Sequence, residues 1–166
     1  MPARHLEGLS GKAISSFHTL LEEVGTLDAP RFCEVIREVA LNQLHLAEEF
    51  LDAAQRIPSD MLVDHRVAVC RSYYAMYQAA RSVVFAHARE DIDDHIKLPQ
   101  NLPDDFPNRQ HWVERLRFWR VKRNDLDYSP YISADDKLEE LRVAGTKEAI
   151  EFCRLARAYV EKRGVT

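Results

Sequence analysis

Between Val67 and Phe85 the chain has almost no direction left for water. Stepped at about 100° per residue, its polar side chains fall on one narrow stripe of Arg71, Gln78, Ser82 and Arg89, and most other directions carry apolar or aromatic groups. A helix of that kind must be surrounded on most sides. The stretch, opened by a Ser59-Asp60 cap and reaching about Ala88, therefore predicts the central helix of a bundle. Composition agrees: only 5 of 166 residues are glycine, strand-like alternation of β-branched residues is absent, and Ala, Leu, Glu and Arg prevail. A chain of this length fits one domain and buries roughly 70% of its unfolded surface.

The expected architecture is all-α, an up-and-down bundle of four to five main helices, with an additional N-terminal helix and a long acidic loop. Residues 1–27 form the extension: Met1 to Leu9 are expected to be loose, and Ala13, Ile14, Phe17, Leu20, Leu21 and Val24 keep helical spacing until Gly25. Residues 28–166 form the bundle. Asp28 and Pro30 open a helix to about Ile57, with a core row of Phe32, Ile36, Val39, Leu46, Phe50 and Ala54 interrupted by Gln43, whose amide is expected to bond a neighbouring helix. Periodicity fails from Glu90 to Asn108, where Pro99, Pro103 and Pro107 occur with Asp91, Asp93, Asp94, Asp104 and Asp105. This acidic loop is expected to be solvated and drawn towards the basic helix that follows it. Ser133-Ala134-Asp135-Asp136 resembles a capping box for the last helix, in which Gly145 is expected to introduce a kink or a division.

The helix from Arg109 to about Asp127 breaks the amphipathic rule in one place. Trp112, Leu116, Trp119 and Leu126 make its apolar stripe; Arg123 sits in the middle of that stripe and Arg120 and Asp127 at its edge. A charge on the face meant for the core needs a counter-charge, since an unpaired buried charge costs several kcal/mol. The partner is Asp127 one turn on, a carboxylate from elsewhere, a second protomer, or a bound anion. The first alternative is an internal ion pair fixing helix register; the last is a ligand site.

Other chemistries find little support. Glu-x-x-His pairs, His-Glu-x-x-His and Gly-x-Ser-x-Gly are absent, and Gly8-Leu9-Ser10-Gly11-Lys12 has the wrong spacing for a phosphate loop. Asp91, Asp93, Asp94 and His95 offer metal-type ligands but lack the glycine and closing glutamate of a calcium loop, so no metal and no cofactor is expected. Cys33, Cys70 and Cys153 lie in apolar helical contexts and are expected to be inert thiols of a reducing compartment. A net charge of −4 argues against a general nucleic-acid coat, though not against a local basic patch. With neither a signal-peptide pattern nor an apolar run of bilayer length, the expectation is a cytoplasmic protein without membrane contact.

Two motifs together resemble a known family. Arg71-Ser72-Tyr73-Tyr74-Ala75-Met76-Tyr77-Gln78-Ala79-Ala80-Arg81 is similar to the second-helix signature of HEPN domains, and Arg120 to Tyr128, with its Asp127-Tyr128 ending, is similar to their late-helix motif. The resemblance runs from near Phe32 to near Tyr159, about three-quarters of the chain. It implies a helical bundle that forms a homodimer and acts on or with nucleotides or RNA. Many members are metal-independent ribonucleases, often toxins, in which an arginine followed after four to six residues by a histidine lines a cleft between protomers. Arg123-Asn124 matches the start of that motif, but Tyr128 stands at the histidine position. An unperturbed tyrosine, with a pKa near 10, is a poor proton acceptor.

The Asp-Tyr branch implies a partner in a toxin–antitoxin or nucleotidyltransferase system, the nucleotidyltransferase or antitoxin being a separate chain. The expected nucleotide- or RNA-binding residues are Arg120, Arg123, Asn124, Asp127, Tyr128, Arg71 and Tyr74. The alternatives are a metal-independent ribonuclease toxin and a purely structural dimeric module.

Overall fold

The structure, a computed structural model, describes residues 29–128 and 137–163, with side chains described from Glu34 onward. The N-terminal helix over 13–24, the caps at Asp28 and 133–136, and the side chains of Phe32 and Cys33 lie outside the described residues. Within them are four α-helices and no strand: α1 (Ala29–Arg56), α2 (Leu62–Ala88), α3 (Arg109–Tyr128) and α4 (Leu138–Arg163), with a 3-10 turn at Leu98–Asn101. No helix among the described residues is long and apolar enough to cross a membrane.

The helices run up and down in succession. The start of α4 meets the end of α1, where Arg142 donates to the Ile57 carbonyl, while its far end meets the end of α2 through Tyr159 and His87. α3 runs against both: its first turns set Trp112 on Phe152, and the Leu126 carbonyl in its last turn accepts from Arg66 near the start of α2. As its pattern requires, α2 is the central element, packed on α1, α4 and α3. Ala68, Val69, Ala75, Met76, Ala79, Ala80, Val83 and Phe85 are sealed from solvent. Its two buried serines are satisfied: Ser82 donates to the Ala40 carbonyl at 2.7 Å, and Ser72 shares a hydrogen bond with Thr146 of α4 at 3.2 Å. Ser82 is thus inside the bundle, not on a wet stripe.

Four local expectations change. The core row of α1 is Ile36, Ala40, Leu44, Ala47 and Ala54, with Leu46 exposed, because alanines at every second turn let α1 approach α2 closely. Gln43 Oε1 is buried without a hydrogen-bond partner, so the expected bond to a neighbouring helix is not made. The α2 cap falls one residue late, at Met61, whose N–H donates to the Asp64 carboxylate at 3.1 Å. Gly145 neither kinks nor divides α4, which is continuous; it is a contact point, since a Cβ there would stand 3.2 Å from the Trp119 ring.

The 89–108 connection is more ordered than its composition predicts. Arg89 closes α2 in the left-handed conformation at φ 59°, and its N–H returns to the Phe85 carbonyl. The Asp94 carboxylate accepts the Ile96 and Lys97 N–H groups, starting the turn that leads into the 3-10 segment. Leu98, Leu102 and Phe106 then enter the core, and Phe106 lies against Phe152 and Tyr159. Its acids do not simply face water or α3. Asp91 is buried in a forked pair with Arg81 of α2 and Asp105 binds Tyr159 and Arg163 of α4; Asp104 alone does as expected, fully exposed and paired with Arg109 at the start of α3.

Candidate functional site

Where α2, α3 and the start of the connection converge, the structure assembles a group that is cationic and aromatic. The stripe of α3 is as its spacing predicts: Trp112, Leu116, Trp119 and Leu126 are buried, and Arg123 lies among them with its side chain only 16% exposed. Arg123 Nε is 2.9 Å from Asp127 Oδ2, close enough for an ion pair although off the direction of a good hydrogen bond. Its terminal nitrogens donate to the Tyr74 hydroxyl of α2 and to Asn124 Oδ1. Burial pulls the pKa of this guanidinium down, but the Tyr74 hydroxyl, Asp127 and Tyr128 more than offset it, so the charge is firmly held.

Both oxygens of Asp127 are engaged, although its side chain stays 34% exposed. Besides Arg123 it accepts the Cys70 thiol at 3.1 Å on Oδ1. Burial first, then the Asp127 carboxylate, push the Cys70 pKa up to about 12, so the thiol keeps its proton and serves only as a donor. Cys153, pushed up to about 12 mainly by burial, is inert as expected.

Arg120, one turn before Arg123, is in a different position. Its Nε is buried with no hydrogen-bond partner, and it forms no ion pair among the described residues. Two guanidinium groups therefore lie one turn apart on α3, and the one carboxylate paired with either of them among the described residues, Asp127, stands a turn beyond Arg123 and is already engaged. This imbalance is the main electrostatic feature of the site.

The aromatic wall comes from α2. Tyr73, Tyr74 and Tyr77 lie within one turn, and His95 of the connection is laid on Tyr77 with ring centroids 3.9 Å apart and planes at 15°. The Tyr73 hydroxyl is 2.6 Å from His95 Nδ1, and the Tyr77 hydroxyl donates to the Asp93 carbonyl at 2.8 Å. Burial first, then neighbouring Arg123, Arg120 and Arg81, lower the pKa of His95, while Asp94 opposes them. Tyr73 moves up, chiefly by burial. With the phenol protonated and the imidazole neutral, the Tyr73 hydroxyl donates to Nδ1 in the Nε2–H tautomer and accepts from it in the Nδ1–H tautomer.

Of the residues expected from sequence, Tyr74, Arg123, Asn124, Asp127 and Tyr128 come together in one contact set, and Arg120 adjoins it. Tyr128 is 74% exposed, with its ring 5.6 Å from the Arg123 guanidinium carbon. Arg71 is peripheral: it lies over Phe50, which stacks on the Tyr74 ring, so it reaches Arg123 only through two rings. Sequence reasoning missed His95 as a member of this site, because nothing in an aperiodic acidic stretch says which helix it folds against. Asp91, weighed there as a metal-type ligand, is consumed by Arg81; among the described residues no group of three or more His, Cys, Asp or Glu is placed to hold a metal ion.

The chain matches no family model, no curated protein and no solved structure.

Proposed function

We propose that this protein binds the phosphate of a nucleotide or RNA between Arg120 and Arg123, with Asn124, Tyr74 and Tyr128 around it and Asp127 holding Arg123 in place. The observation that carries this reading is the buried, unpartnered Nε of Arg120 beside a second guanidinium whose only carboxylate is already in use. A phosphate oxygen supplies what that nitrogen lacks, through a charge-assisted hydrogen bond. The resemblance to HEPN domains supports the same ligand class. It also supports a homodimer acting with a separate nucleotidyltransferase or antitoxin chain, in a binding role rather than a cleaving one.

A ribonuclease needs a group that takes a proton from a substrate hydroxyl. His95 brings an imidazole to the arginines, which favours that second reading. Yet its Nδ1 is already engaged with the Tyr73 hydroxyl, and burial first, then the neighbouring arginines, lower its basicity. Binding without cleavage therefore remains the better-supported reading. Arg120→Gln should weaken binding of a fluorescent short single-stranded RNA or a 5′-nucleotide roughly tenfold at fixed salt, the worth of about one charge-assisted bond, with the helical signal retained. Equal affinity of variant and wild type would remove the proposed site. RNA cleavage by the wild type in the presence of a chelator, lost in Arg120→Gln and Arg123→Ala, would replace binding by the ribonuclease reading.

A further inference from the structure

We infer that filling the anion site with a dianion draws a proton onto His95, so that the site selects a phosphomonoester group over a singly charged phosphodiester. The inference rests on the anion-binding reading above and follows from counting charge around one imidazole. From α3, Arg120 and Arg123 face it. From α2 come Arg81 and the rings of Tyr73, Tyr74 and Tyr77. From its own segment come Asp91, Asp93 and Asp94. Arg81 and Asp91 cancel in their forked pair. The Asp94 carboxylate is turned into its own turn, where it accepts the Ile96 and Lys97 N–H groups and is balanced by the Lys97 ammonium at 4.0 Å, and Asp93 is exposed, so water screens it.

What remains unbalanced is two guanidinium groups against Asp127, a net charge of plus one. Burial first, and that surplus after it, keep the imidazole neutral when the site is empty. A monoanion brings the balance to zero and asks nothing of His95. A dianion overshoots by one negative charge, and the nearest group able to restore neutrality is the imidazole, because its ordinary pKa lies near physiological pH. The local hydrogen bonding permits the change. In the charged ring Nδ1 carries a hydrogen, and the Tyr73 hydroxyl accepts it across the same 2.6 Å contact, so no partner is lost. The proton comes from solvent, and the ring stays on Tyr77 in either state. Linkage then requires the reciprocal effect: a dianion binds more tightly when His95 is charged.

The test is a nuclear magnetic resonance titration of the imidazoles in the full chain, between about pH 5 and 8. It is run alone, with saturating sulfate, which is a dianion with no titrating proton in that range, and with saturating dimethyl phosphate, a singly charged diester. His95→Gln assigns the signal, and calorimetry establishes saturation. Sulfate should raise the His95 midpoint by about one pH unit, equivalent to tenfold tighter sulfate binding by the protonated form. Dimethyl phosphate should leave it nearly unmoved. In Arg120→Gln the midpoint of the free protein should already be higher, with the sulfate response reduced. Saturable sulfate binding with an unmoved midpoint overturns the coupling and leaves the anion site standing. Equal shifts with both anions overturn the selection of a dianion. If neither anion nor a 5′-nucleotide binds saturably, the anion-binding reading falls and takes the coupling with it.

Discussion

Arg120 and Arg123 are three positions apart on the same helix, yet their surroundings assign them different work. Arg123 is tied to Tyr74, Asn124 and Asp127, so its removal strands a half-buried carboxylate and a tyrosine hydroxyl. Arg123→Ala should therefore cost about 2 kcal/mol of stability, read by urea unfolding, with little change in the slope. Arg120→Gln gives up no protein partner and should unfold close to wild type; matching losses in the two variants would refute the division.

His95 adds a pH signature of its own. Its pKa is lower in the folded than in the unfolded chain, so the unfolded state binds more protons once the pH drops below about 6.5. Its contribution to stability is thus complete above that value and declines as the medium is acidified. His95→Gln should flatten the stability–pH curve on the acid side, and an unchanged slope would contradict the neutral, burial-disfavoured imidazole. The arginine pair was legible in the sequence because a charge inside an apolar stripe conflicts with the 3.6-residue period. His95 was not, because its role depends on a segment with no period, and proximity across the fold leaves no trace in local pattern.

At the scale of elements, spacing placed α2 at the centre and α3 with its buried tryptophans, since both depend on side chains of one helix. It misjudged features that depend on how two helices meet. The alanine row of α1 looks weaker than the Leu46 and Phe50 row until α2 is set against it. Gly145 reads as a helix breaker until Trp119 is found lying on it. Beside that contact, Glu148 accepts both Arg115 in a forked pair and the Trp119 indole N–H at 2.8 Å, so the ring has no freedom to retreat. Gly145→Ala gains about 1 kcal/mol in helix propensity but inserts a methyl group into a fixed contact, which costs about 2 kcal/mol. The expected result is a lower melting temperature. A higher one would show that Trp119 yields easily.

For the molecule as a whole, the order of assembly follows from where the contacts lie along the chain. α1 and α2 are joined by the short link 57–61 and share the largest interface, so this hairpin forms at little loop-closure cost. The proposed anion site needs α2, the connection and α3 together, and the Arg123–Tyr74 bond spans 49 positions. Such distant pairings arrive late, after the nucleus has committed the chain. In stopped-flow measurements Arg123→Ala should accelerate unfolding by most of its stability loss and leave refolding nearly unchanged, whereas slowed refolding would put the site inside the nucleus. A protein built in this sequence reaches its bundle before the proposed anion site is assembled, so on that proposal truncated or half-folded chains should hold helices yet be blind to the ligand.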